Sequence, residues 1–363
     1  MSGFWRMLGV IPPEDIFPAI RAGDLAQVKE ICRRHPPAAV LSHTTLGSPL
    51  HLAILEGETE IAGFLIDAGG DARVKDAQGQ TPVHLAAARG ERGLLERMAG
   101  AGANFEERDR DGQTPLHLAA GAGRMECVHF LLGCRVALEP LDPAEESPLF
   151  KAVRHGHLEV VRLLLDKGAD LDRDNAAGQT PLLAAAAAAQ ERLVAYLLTR
   201  GADVLAVDRR AKGILHALAI RGTRALASLA LRQGANLDWR DDDGEAPLHH
   251  AVFMGNAELV EYFLGRGAAP DAQDKEGWGP LHWAAWRKDH RCAEILLSRG
   301  ADPNLRNRAG RTPLHMAVLL GAGADFLAFL IGRGADPALT DTAGQSPRDL
   351  AARHGQPWPA TAA

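Results

Sequence analysis

Seven histidines share one local setting in this chain. His51, His84, His117, His216, His249, His282 and His315 each close a triplet of the form Pro-Leu-His or a near variant such as Pro82-Val83-His84. Imidazole is the commonest metal ligand and a ready general base near neutral pH, so the spacing of these rings decides what chemistry they could do together. Consecutive members lie 33 residues apart, with a gap of three such steps between His117 and His216. One histidine per structural unit does not converge on an ion as the tetrahedral ligand set of zinc must. His155 and His157 flank Gly156, and His249 and His250 are helix neighbours expected to point apart; none has HExxH or CxxC company.

Other candidates for chemistry fare no better. Cys127 and Cys292 fall twelve residues after the triplet proline, where other units place Ile61, Leu94 or Val160, and so are expected in the core. Cys32 and Cys134 follow no pattern, and this cysteine usage suits a reducing cytosol. Asp241-Asp242-Asp243 is expected at a solvated hairpin tip, because a calcium loop needs alternating ligands and a distal Glu. Gly121-Ala122-Gly123 and Gly321-Ala322-Gly323 do not extend to GxGxxG or GxxxxGK[ST], and no serine or cysteine has a partnered base. The expectation is a non-enzymatic protein without cofactor or metal.

The elements that would hold these residues follow from the prolines. Pro49, Pro82, Pro115, Pro148, Pro181, Pro247, Pro280 and Pro313 keep the 33-residue register, Ile214 fills the missing place, and Pro347 follows after 34 because of one extra residue in 321–324. A period of this size means stacked supersecondary units. Within the unit 142–174, Ser147 caps a helix whose first position is Pro148, where a missing N–H costs nothing. Gly156 ends that helix; Val160, Val161, Leu164 and Leu165 mark a second one at helical spacing, and Gly168 ends it. The glycine eight positions after the proline recurs at Gly57, Gly90, Gly123, Gly222, Gly255, Gly321 and Gly355, and an Asp-x-x-Gly turn recurs between units as at Asp76–Gly79 and Asp241–Gly244.

The D-x-x-G-x-T-P-L-H-x-A-A pattern, the two helix-ending glycines and the Gly-Ala-Asp ending at 168–170, 201–203 and 300–302 resemble those of ankyrin-repeat proteins, over about residues 14–355. The resemblance implies an all-α solenoid of about ten helix–loop–helix units with projecting hairpin turns, preceded by a degenerate first unit around 19–31. It implies that each triplet histidine bonds the turn backbone, and that the concave face binds other proteins. The expected organisation is a leader over 1–13, the solenoid over 14–355 and a tail over 356–363. Two places depart from the pattern: Arg135 replaces a terminating glycine before a turn that lacks its own, and 184–189 is a run of alanines. Segments 133–147 and 180–190 are expected to be the weakest joints.

Composition bounds the partners. The chain has 363 residues, 46% hydrophobic, and a formal net charge of −6 with both signs interspersed. A continuous basic stripe for nucleic acid is absent, since Arg209, Arg210 and Lys212 are answered by Asp241 to Asp243. No apolar stretch of about 18 residues suggests a membrane span, and Met1 to Ile11 does not look like a secretory signal. A monomeric cytoplasmic protein is expected.

In the resembled architecture the partner meets turn tips and the exposed side of each first helix. Early units offer small or polar residues at those slots, such as Ala77, Gln78, Gln80 and Ala88. Later units offer Ile220 and Arg221, then Phe253 and Met254, then Trp278, Trp286 and Arg287, then Arg308, Arg311, Leu319 and Leu320. Aromatic, Met and Arg side chains at exposed positions characterise interface hot spots. A protein or extended peptide is therefore expected to bind mainly across 209–320, with Phe253, Met254, Trp278, Trp286 and Leu319 forming one largely exposed apolar patch rimmed by Arg221, Arg287, Arg308 and Arg311. Trp283, Tyr262 and Phe263 are expected in the core. The alternatives are a regulatory or inhibitory subunit of an enzyme complex and, beyond that, a nucleic-acid-associated factor.

Overall fold

The computed structural model describes residues 16–35 and 47–359. The expected leader, 1–13, and the last residues of the expected tail, 360–363, lie outside them. The chain divides into two compact units, up to Ala176 and from Ala177 onward.

Among the described residues the first unit contains five pairs of helices: α1 Ile16–Arg21 and α2 Leu25–Arg34, α3 Pro49–Glu56 and α4 Thr59–Asp67, α5 Pro82–Arg89 and α6 Arg92–Gly100, α7 Pro115–Gly121 and α8 Met125–Gly133, α9 Pro148–Arg154 and α10 Leu158–Asp166. The second contains α11 Pro181–Ala187 and α12 Glu191–Thr199, α13 Ile214–Arg221 and α14 Arg224–Arg232, α15 Pro247–Met254 and α16 Ala257–Gly265, α17 Pro280–Arg287 and α18 His290–Ser298, α19 Pro313–Leu319 and α20 Ala324–Gly332, and a lone α21 Pro347–Arg353. Inside each unit first helices pack on first helices and second helices on second helices, so the core lies between two helical layers. Strands are absent among the described residues; Val207 and Gly213 form an isolated antiparallel bridge.

Local chemistry sets these boundaries. Ser147 Oγ accepts from the Phe150 amide and Pro148 opens the helix, as a helix N-terminus favours. Gly156 (φ 82°) and Gly168 (φ 95°) then take the left-handed conformation that only glycine adopts freely. Gly222 departs from this expectation: its φ is −73°, so α13 ends on an extended residue. Five positions keep the left-handed turn without glycine, namely Arg135, Glu145, Ala189, Ala211 and Lys288. The stack imposes the backbone there against the side chain's preference.

The layers bury Leu164, Phe150 and Phe263 completely or nearly so. Cys127 and Cys292 are fully buried as expected, and burial pushes their thiols up to about 11 and about 12. Tyr262 and Phe263 also lie in the core, whereas Trp283 does not: it is half-buried and belongs to the surface cluster described below.

Candidate functional site

The triplet histidines link neighbouring repeats. In each, the backbone amide three residues earlier donates to Nδ1, for example Ser48 to His51 at 2.9 Å and Ala246 to His249 at 3.0 Å. An Nδ1 that accepts leaves the proton on Nε2, and Nε2 donates to a carbonyl of the next hairpin: His51 to Gln80, His84 to Gln113, His249 to Trp278 and His282 to Arg311. Burial pushes His117, His216, His249 and His282 down to about 4 and lowers His51, His84 and His315, so these rings are neutral near pH 7. Both ring nitrogens are occupied by structural bonds.

The hairpin tips form their own ladder. Asp241 Oδ1 accepts from the amides of Asp243 and Glu245, an Asp-centred turn repeated at Asp76, Asp109, Asp142, Asp208, Asp274 and Asp341 and, with Asn, at Asn307. A backbone bond joins most tips to the next, as from Asp242 N to Arg210 O, Lys275 N to Asp243 O and Arg308 N to Glu276 O; the tip at 142–146 has Pro143 at the donor position and so gives no such bond to the tip at 109–113.

Four aromatic rings meet between α15, α17 and the tip before α17. Phe253 stacks on Trp286 at 5.8 Å between centroids, Trp283 meets Phe253 edge-on at 5.4 Å, and Trp278 lies 4.8 Å from Trp283. Trp283 is the centre of this cluster. Its Nε1 is buried without a hydrogen bond of normal geometry, and the group beside it is Asp274, whose carboxyl is raised by burial against the Trp278 and Glu276 amides and the indole N–H.

The expected patch is thus less exposed than its slots imply. Met254, Trp286 and Leu320 show 41%, 38% and 37% of their surface, while Ile220, Phe253, Trp278 and Leu319 are half-buried. The rings neither stand free nor bury completely: Trp278, Trp283 and Trp286 pack on one another within one repeat, and Phe253 joins them across the repeat boundary. Of the expected arginine rim, Arg311 pairs with Asp341 at 3.3 Å and Arg308 approaches Glu276 at 3.9 Å. Arg287 lies 6.0 Å from the Phe253 ring, and neither it nor exposed Arg221 makes an ion pair among the described residues.

One slot, three residues after the triplet proline, escaped the sequence reading. It holds Trp283 above Asp274 and Trp278, and in two other repeats it holds a basic side chain. Lys151 Nζ lies 2.7 Å from both Asp142 and Glu146, with Arg154 adding a bond to Glu146. His250 Nε2 lies 3.0 Å from both Asp241 and Glu245. His250 also meets His216 of the preceding repeat edge-on at 5.3 Å, a contact outside the spacing argument, which covered the triplet histidines alone. Acidic residues at the two tip positions below each of these two side chains were the available signal.

A two-layered helical array with projecting turns and one stapling histidine in most units defines a class of repeat protein. The family model described as "Ankyrin repeats (3 copies)" matches overlapping stretches from 17–109 through 136–208 and from 214–307 to 281–358. The chain belongs to the ankyrin-repeat family, with about ten units. Ankyrin repeats generally mediate protein–protein interactions and are typically binding modules rather than catalysts. No curated protein matches the chain. Among the described residues no helix is long and apolar enough to cross a membrane.

Proposed function

We propose that this protein is a non-enzymatic cytoplasmic interaction module, monomeric on its own, that binds an extended segment of a partner protein along the first helices and tips of 209–320. The observation that carries the reading is the ring cluster: Trp286 and Met254 remain more than a third exposed, and Trp286 is stacked on the Phe253 ring. Exposed apolar surface of this kind marks binding sites on soluble proteins. Rings that support one another are preorganised, which lowers the ordering cost of association.

The chemistry of the rim specifies the partner further. Arg287 and Arg221 are exposed and make no ion pair among the described residues. A segment that seats an apolar side chain on Met254 and Trp286 and offers a carboxylate to Arg287 fits this face. Affinity capture followed by mass spectrometry tests it. A partner held by the wild type should be lost by the Met254→Ala/Trp286→Ala variant and kept by Leu205→Ala, which trims an exposed leucine away from the ring cluster. Equal loss in both variants, or equal retention, would refute the reading.

A further inference from the structure

His250 stands on α15, three and four residues before Phe253 and Met254, and it ties that helix to the hairpin tip of its own repeat. The comparison with Lys151 is built into the molecule. Both side chains stand three residues after the triplet proline, and both face an Asp six residues and a Glu two residues before that proline. Lysine has three N–H donors and stays charged at physiological pH, so Lys151 satisfies Asp142 and Glu146 together. Imidazole Nε2 has at most one proton, and the ring is charged only when both nitrogens are protonated. With a neutral ring, two carboxylates compete for one N–H and their like charges go uncompensated on that side.

We propose that His250, Asp241 and Glu245 form a proton-operated clasp, closed when the imidazole is charged and loosened when it is neutral, that sets how firmly the tip 241–245 is held on α15. The consequence for binding rests on the proposed binding face. Asp243 O receives the Lys275 amide at 3.0 Å, and the next tip carries Trp278, so loosening at 241–245 reaches the ring cluster through one backbone bond.

The other charged groups around His250 do not replace it. Lys212 of the preceding tip lies 3.6 Å from Asp241 Oδ2, and a lysine does not change charge near neutrality. His216 and His249 are held neutral, both pushed to about 4, first by burial and then by neighbouring cations. Asp274 of the following tip faces Glu245 and is raised first by burial. Glu245 is held below its ordinary range first by the His250 bond; Asp241 is held below its own, against burial, by the Glu245 amide and His250. The sign follows: the carboxylates stay ionised well into acid, and the clasp is lost once rising pH removes the second proton from the imidazole.

A metal at this place is the competing use of the same atoms, since His216, Asp241 and His250 offer ligand atoms within 4.8 Å of one another. The bonds oppose it. His216 Nδ1 accepts from Gly213 N and its Nε2 donates to Glu245 O, so an ion would have to break a repeat-to-repeat staple.

The test needs no partner. The indole N–H resonances of Trp278 and Trp283 in the full chain, assigned with Trp→Phe variants, are followed by NMR from about pH 5.5 to 8.5, across the histidine range. In the wild type both signals should move along a single-proton curve. His250→Lys should remove the movement and hold the signals at their acid-end positions; His250→Gln should hold them at the alkaline end. Asp274→Asn, which copies the tolerated Asn307 turn, should keep the curve. Lys151→His should introduce a new titration in the amides of 142–146. A flat wild-type curve, an unchanged curve in His250→Lys, or saturable movement of the His250 signals on adding zinc alone at pH 8 would overturn the clasp. Failure of the capture experiment would leave this titration untouched, so the two readings fail separately.

Discussion

The ring of Phe253 lies on the ring of Trp286, 5.8 Å between centroids and 29° between planes, although the two residues belong to neighbouring repeats. That contact makes the exposed face and the repeat interface one structure. Truncating Phe253 therefore has two effects, on stability and on partner binding.

Phe253→Ala removes contacts to Trp283 and Trp286, and an aromatic pair contributes about 0.5–1.5 kcal/mol beyond its area. Denaturant melts should show Phe253→Ala less stable than Met254→Ala, whose side chain is 41% exposed. Equal stabilities would mean that the rings are independent of each other.

Leu164 is completely buried in α10. Leu164→Ala should cost about 2–5 kcal/mol, as core leucine truncations do. A melt indistinguishable from wild type would contradict the two-layer packing of the first unit.

Arg135 and Ala189 hold left-handed backbones, at φ 60° and 54°. A side chain in that region costs about 1–2 kcal/mol, partly offset by the greater unfolded-state freedom of glycine. Arg135→Gly and Ala189→Gly should each therefore stabilise the chain by roughly 0.5–1 kcal/mol. Hydrogen exchange in the wild type should be fast around 133–147 and 180–190 and slow there in these variants. Uniform protection across both segments would rule out the weak joints.

Acid should weaken the array before its carboxylates protonate. The histidines at about 4 take up protons on unfolding once pH falls below the free imidazole value near 6.5. Their folded values are depressed, so the stability they carry is full above about 6.5 and is lost as pH falls toward 4, at up to about 1.4 kcal/mol per pH unit for each ring. His282→Gln should flatten this slope, measured by melts between pH 4.5 and 7. An unchanged slope would show that the staple histidines are not the groups responsible.

By itself the sequence determined the array: the 33-residue step, the capping Ser or Thr before proline, and the paired glycines at Gly156 and Gly168. These are legible because each is a local backbone preference that one or two residues express. Repetition separated the triplet histidines from any single site, whereas their bond to the turn backbone was legible through the family resemblance. The fate of slot residues was decided only by tertiary structure. Trp283 reads as a core residue because its slot holds leucine in other repeats, but with Asp274 and Trp278 beneath it and Phe253 beside it the ring becomes the centre of an exposed cluster. His250 reads as an idle neighbour of His249 until the hairpin brings Asp241 and Glu245 within 3.0 Å of its Nε2. A side chain that touches the hairpin below and the next repeat beside it takes its environment from three segments at once, and no local pattern encodes how those three meet.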